Sequence, residues 1–248
     1  MLGAPCTPGA SDDDGDCPVT AAPLKLISSM ATRELLAELL PEFTRAGGLP
    51  VQAEAGGGVE VAKRVRSGEA VDVVVLAANV IDQLISEGHL LAGSRVDLVR
   101  SGIAVAVPAG ASQPRLDDEA AVRAAVLAAK TLSYSTGPSG VYLMQLFERW
   151  GIADTIRARI VQAPPGVPVG SLVARGEVEL GFQQLSELIH LQGITVVGSL
   201  PDAIQSITVF SAGVSAGSGR PEAARALVAS LAAPDTAVAK QRQGMAPA

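Results

Sequence analysis

From Leu24 onward the apolar positions switch between two spacings. Short, nearly unbroken aliphatic runs occur at Leu24 to Ile27, Val71 to Leu76 (VDVVVL), Ile103 to Val107 and Val178 to Phe182. Runs of that kind suit strands covered on both faces. Between them, apolar residues recur every three or four positions: Leu35, Leu36, Leu39, Leu40 and Phe43; Val61, Ala62 and Val65; Ile81, Leu84 and Ile85; Ala224, Leu227 and Leu231. Each set is one face of a helix. The pattern predicts further strands over 51–55, 96–99, 131–135, 160–163, 194–197 and 207–211, with Arg100-Ser101-Gly102 separating the strand at 96–99 from the one at 103–107. Further helices are predicted over 117–129, 141–150, 169–175 and, briefly, in the LSELI stretch. Strands alternating with helices of this length imply βαβ units, hence an α/β fold with mostly parallel sheets.

Residues 1–23 have no apolar period. They carry prolines, the acidic run Asp12 to Asp14 and both cysteines, Cys6 and Cys17, and read as a disordered leader outside the fold. The cysteines are compatible with a disulfide without implying one, and cannot complete a zinc site. Aromatic residues make up 3% of the chain and its net charge is −6, which disfavours base stacking and attraction to phosphate backbones or anionic membranes. No apolar run is long enough to span a bilayer, so no membrane insertion is expected. A basic region followed by an apolar stretch, the mark of a secretory signal, is not visible. The expected location is periplasmic or extracellular if a signal was removed, and cytoplasmic otherwise.

The candidate chemistry lies in loops between strands and helices. Ser28-Ser29 follows the first strand, and Thr32 resembles the N-cap of the helix behind it. Such a turn directs hydroxyls and backbone N–H groups at one spot beside the positive end of a helix. An ordinary capped crossover explains the same residues. Gly56-Gly57-Gly58 permits close backbone approach to a ligand, and equally a flexible turn. The stretch from Ser135 through Gly137, Pro138, Ser139 and Gly140 repeats strand, small-residue loop and helix in the second half. Gln183 and Gln184 end an apolar strand, where an amide is costly unless satisfied by ligand or backbone. Among ionisable groups, His89 and His190 sit at helix ends, Glu60 and Glu187 read as solvated helix residues, and the Tyr142 hydroxyl is expected to meet backbone. No triad order, phosphate loop, metal spacing or dinucleotide fingerprint appears, so no metal or cofactor is expected.

The ordered segments SSMATRELLAELLPEF, VAKRVRSGEAVDVVVLA, GSRVDLVRSGIAVAVP, SGVYLMQLFERWGI and VGSLVARGEVELGF resemble, in this order and spacing, the type II periplasmic solute-binding proteins, and among them the molybdate-binding family. The resemblance implies two α/β lobes, each a mostly parallel sheet flanked by helices, with the ligand in the cleft between them. The Pro/Gly/Ser-rich segment from Pro108 to Pro114 marks the lobe boundary, and the crossings are expected near Val107 and Ser206. Lobe 1 is then 24–107 plus 206–248, and lobe 2 is 108–205.

By the same resemblance the ligand-binding set is Ser28, Ser29, Met30, Gly57, Gly58, Ser135, Ser139, Gly140, Pro168, Gln183 and Gln184. Met30 stands where the family's first-loop serine falls, Gly58-Val59 where its second serine falls, and Gln184 where its tyrosine falls. These departures favour an organic acid over a compact oxyanion of the molybdate type. GFQQLSEL, with VPVGSLVARGEVEL before it and ITVFSAG after it, is most similar to the branch that includes bacterial aconitate isomerase. The function expected is capture of a small anion, as in receptors that deliver a solute to an ABC transporter permease. The alternative is an isomerase that shifts the double bond of a tricarboxylate by proton transfer. A monomer is expected in either case.

Overall fold

The computed structural model describes residues 22–163 and 167–248. The leader through residue 21, with Cys6 and Cys17, and the prolines at 164 and 165 lie outside the described residues. In chain order the first elements are β1 (Leu24–Ser29), α1 (Arg33–Arg45), β2 (Val51–Gly56), α2 (Gly58–Arg66), β3 (Val73–Ala77), α3 (Ala78–Ser86) and β4 (Val96–Pro108). There follow α4 (Glu119–Ala128), β5 (Leu132–Tyr134), α5 (Pro138–Arg149), α6 (Ala153–Ile156), α7 (Val169–Ala174), β6 (Leu180–Gln184), α8 (Leu185–Leu188) and β7 (Ile194–Ser199). The chain closes with β8 (Ile207–Val214), α9 (Pro221–Ala232), α10 (Ala237–Arg242) and β9 (Ala246–Pro247).

The strands run in the order β2-β1-β3-β8-β4-β6-β5, with β7 and β9 also paired to β4. The unbroken apolar runs occupy buried positions: every residue of β3 and of β6 is buried. The helix faces read from the spacing also point inward, with Leu35, Leu36, Leu39 and Leu40 of α1 and Val61, Ala62 and Val65 of α2 buried. Two lobes result. The first packs β1, β3 and β8 against α1 and α9 on one face and α2 and α3 on the other. The second packs β5 and β6 against α4 and α5 on one face and α7 on the other.

Three local expectations are corrected. Residues 96–99 and 103–107 are one strand, because the Arg100-Ser101-Gly102 interval stays extended and keeps pairing with β8. The stretch 160–163 contributes only an isolated bridge between Ile160 and Leu132. The sheets are mixed rather than mostly parallel: β1 pairs in parallel with β2 and β3, and β5 with β6, while β4 and β8 run antiparallel to their neighbours. Apolar runs report burial on both faces, and strand direction leaves no such trace.

β4 is the element that makes two lobes of one sheet. Up to Gly102 it pairs with β8, and from Ile103 it pairs with β6 and, from Ala104, with β7. The change of partner falls between Gly102 and Ile103, and β8 begins at Ile207, opposite Gly102. Gln205 ties the two crossings together. Its Oε1 accepts from Ile103 N (2.8 Å) and its Nε2 donates to Ile103 O (3.0 Å).

Candidate functional site

The register locates the cleft. Because β1, β2 and β3 are parallel, Ser29, Gly56 and Ala77 end on one sheet edge, and antiparallel β8 brings Ile207 to that edge beside Gly102. In the second lobe Gln184 pairs with Ile103, and parallel β5 ends at Tyr134 on the same side. The two edges therefore face each other across the Gly102–Ile103 and Gln205–Ile207 crossings. From these edges start the turn at Met30, α2, α3, α5 and α8, and α7 lies alongside β6 with its first turn near the β6 tip.

Helix starts on these edges are sparsely capped. Gly57 and Gly137, the N-cap residues of α2 and α5, provide no side-chain cap; this leaves the first-turn N–H groups of α2 available to an anion, whereas in α5 Pro138 has no N–H and Gly140 N bonds Gly137 O, so Ser139 N is the available donor. Pro168 holds the equivalent place before α7, also without a side-chain cap. In contrast, Asp118 caps α4, accepting from Ala121 N at 2.7 Å. Glu119, next to that cap, accepts from the indole of Trp150, at the end of α5 remote from the cleft.

In the first lobe Ser29, rather than Thr32, is the capping residue: its Oγ accepts from Ala31 N (3.3 Å). Thr32 Oγ1 donates back to Ser29 O (3.0 Å). Ser28 is buried, its hydroxyl 3.5 Å from Glu54 O, while Met30 is half-buried at the start of the turn. In the second lobe Ser135 Oγ lies 2.9 Å from Ser139 Oγ and accepts from Gly137 N (3.3 Å). Gly140 is required there, since a Cβ would fall 1.6 Å from Ser135 O.

The two glutamines part company. Gln184 turns into the hinge: Thr208 Oγ1 donates to its Oε1 (2.9 Å), and its Nε2 reaches Ser101 Oγ, Ser101 O and Gly102 O at 3.0, 3.1 and 3.2 Å. Gln183 accepts from Gly170 N in the first turn of α7 (3.1 Å) and donates to Glu187 Oε2 (2.6 Å). Glu187 is not the solvated helix residue expected from its spacing. Its side chain is half-buried, and the loss of water around it pushes the carboxyl up to about 7, against the lowering effects of the Gln183 amide and the Arg33 guanidinium. Arg33 begins α1 in the opposite lobe, and α8 packs on the Met30–Thr32 turn just before it, so the carboxyl lies where the lobes meet. Sequence spacing alone could not find Glu187; the adjacent buried amide was its one trace.

The remaining candidates lie apart from this group. His89 follows α3, at the end opposite the cleft, and Glu60 is exposed in the first turn of α2. His190 bonds Gln243 (2.7 Å), and Tyr142 Oη donates to Ile204 O (2.8 Å). Surface depressions lined by Glu119, Arg123 and Trp150, and by Lys25, Glu54 and Glu69, contain none of the expected ligand-binding set. Among the described residues no cluster of His, Cys, Asp or Glu could hold a metal ion, and no helix is long and apolar enough to cross a membrane.

Two lobes on facing sheet edges, joined by two crossing segments, define a binding protein of the type II fold. The chain belongs to the bacterial extracellular solute-binding protein family, whose model matches residues 24–246. It is 37% identical over 236 residues to an aconitate isomerase of a Pseudomonas species, covering 93% of this chain and 89% of that protein. Its fold matches the periplasmic molybdate-binding protein of Azotobacter vinelandii with a TM-score of 0.75 and 22% identity, over 90% of this chain and 98% of that one. A sulfate-binding protein of Mycobacterium tuberculosis matches with a TM-score of 0.72 and 14% identity, over 90% and 86% of the two chains.

Proposed function

We propose that the cleft takes a small organic polycarboxylate and that the protein shifts its double bond, the activity named for the Pseudomonas relative. The observation that carries this reading is the Glu187 carboxyl. A site that only captures an anion gains nothing from an ionisable carboxylate beside it, whereas a group near neutrality both accepts and returns a proton. In its ionised form Glu187 removes a proton from the carbon flanking the double bond. The electron pair of that C–H bond becomes the new double bond as the old π pair moves to the third carbon, which is protonated by the carboxylic acid so formed. The first-turn N–H groups of α2, the Ser139 N–H of α5, the hydroxyls of Ser29, Ser135 and Ser139, and Arg33 supply donors for the substrate carboxylates. Lobe closure excludes water from the proton transfer.

A receptor that captures without turnover is the second reading, favoured by the family and by the uncapped helix starts. In that role the protein works outside the cytoplasm and passes its ligand to an ABC transporter permease. Proton NMR of the purified protein with cis- or trans-aconitate separates the two. Interconversion by the wild type, falling about 100-fold or more in Glu187→Gln, is the expected result. No interconversion, with thermal stabilisation by citrate, molybdate or sulfate, overturns the isomerase in favour of the receptor.

A further inference from the structure

The Gln183 side chain is 3% exposed, and both ends of its amide are engaged, on Gly170 N and on Glu187 Oε2. The anchor is itself fixed by packing. A Cβ at Gly170 would fall 2.4 Å from Leu191 Cδ1, and one at Gly181 would fall 2.5 Å from Val173 Cγ2, so α7 is pressed against β6 and the segment following α8. The amide cannot swing without moving α7. Glu187, for its part, has one oxygen on Gln183 while Oε1 has no hydrogen-bond partner among the described residues. One oxygen is held and the other is left for a reaction.

We propose that Gln183 is a positioning residue for the proton transfer: anchored on Gly170, its amide holds Oε2 of Glu187 and leaves Oε1 as the oxygen that meets the substrate. The proposal rests on the isomerase reading. Gln183 touches no substrate and acts through Glu187 alone. Its donor favours the ionised carboxylate, so losing it raises the proton affinity of Glu187 as well as loosening the group. A role in packing alone would change stability without changing that proton affinity.

The test compares wild type, Gln183→Met, which is close in shape and has no donor, and the shorter Gln183→Asn. Steady-state kinetics with cis- and trans-aconitate are recorded against pH, and the Glu187 carboxyl is titrated by 13C NMR. In Gln183→Met, kcat is expected to fall about tenfold with KM within about twofold. The acidic limb of the kcat profile and the NMR midpoint should both move up by about half a pH unit or more. Gln183→Asn, which keeps a donor on a shorter arm, should fall between the two. Should Gln183→Met not fold, Gln183→Asn carries the same readouts. A limb and midpoint that stay in place while the wild type turns over overturn the positioning role alone. A wild type without turnover overturns the isomerase reading, and the role with it.

Discussion

The two rims of the cleft are built by the same device and carry different chemistry. On each, parallel strands end at one sheet edge and feed helices whose first turns lack side-chain caps, at Gly57 in the first lobe and Gly137 in the second. The first-lobe rim adds hydroxyls, the half-buried Met30 and Arg33. The second-lobe rim adds a desolvated carboxyl held by a buried amide. Anion attraction comes from helix starts and needs only backbone, so both lobes can supply it. Proton transfer needs an ionisable group partly withdrawn from water, and among the described residues of the two rims α8 provides one, Glu187. The comparison separates holding, shared between the rims, from chemistry, which rests with one of them.

The largest effect expected comes from breaking the second rim at its tightest point. Gly140→Ala drives a Cβ to 1.6 Å from the Ser135 carbonyl oxygen, a backbone atom that cannot turn aside. A loss of about 3 kcal/mol is expected in urea unfolding. The matching change on the first rim, Gly57→Ala, meets nothing within 4 Å at an ordinary φ of −60°, and should stay within about 0.5 kcal/mol. Equal costs at the two sites would remove the packing difference between the rims.

Next in size is the effect of Glu187→Gln on stability. The carboxyl is raised from 4.5 to about 7 in the folded protein, so the folded state binds this proton more tightly than the unfolded chain. That contribution is fully present below pH 4.5 and lost as pH rises through about 7. Above neutrality the folded protein carries a poorly solvated carboxylate, at a cost on the order of 3 kcal/mol. Glutamine cannot ionise. At pH 8 the variant should therefore melt above the wild type, with the gap closing toward pH 5. A gap independent of pH would place the Glu187 carboxyl in solvent.

What the sequence discloses follows the range of the forces involved. Apolar spacing places Leu35 to Leu40 on a buried helix face and Val73 to Ala77 in a covered strand, because burial is a property of each residue's own pattern. Resemblance over the whole ordered chain implies the two lobes. It brings Ser29, Gly57, Ser135, Pro168 and Gln184 to strand and helix ends on the facing edges. The single strand through Gly102 is hidden, since Arg100-Ser101-Gly102 reads as a turn while its extension depends on pairing with β8. Gln184 reads as a ligand contact and in the structure satisfies hinge groups on β4 and β8. Glu187 reads as a surface residue because its four-residue helix is too short to show a face, and its partial burial depends on how α8 packs.

The smallest effect expected tests whether the rims are held together from outside the cleft. His190, just beyond α8 in the second lobe, donates to Gln243 Oε1 (2.7 Å), and Gln243 Nε2 donates to Glu38 Oε2 on α1 (2.9 Å). Arg242 pairs with the same carboxylate, and these two neighbours hold Glu38 below its usual range. The chain of contacts bridges the lobes at the end of the helix that carries Glu187, without touching the cleft. Because the groups are partly exposed, their worth is about 0.5 kcal/mol. A bridge between the lobes favours the arrangement that contains it over a more open one, so Gln243→Ala should weaken aconitate binding about twofold by calorimetry. The Glu187 titration should stay in place, because Gln183 and Gly170, both in the second lobe, still hold the carboxyl. Affinity that falls together with a moved Glu187 titration would mean that the Gln243 bridge sets the surroundings of the carboxyl as well as the binding of the ligand, and its role would not be confined to holding the lobes.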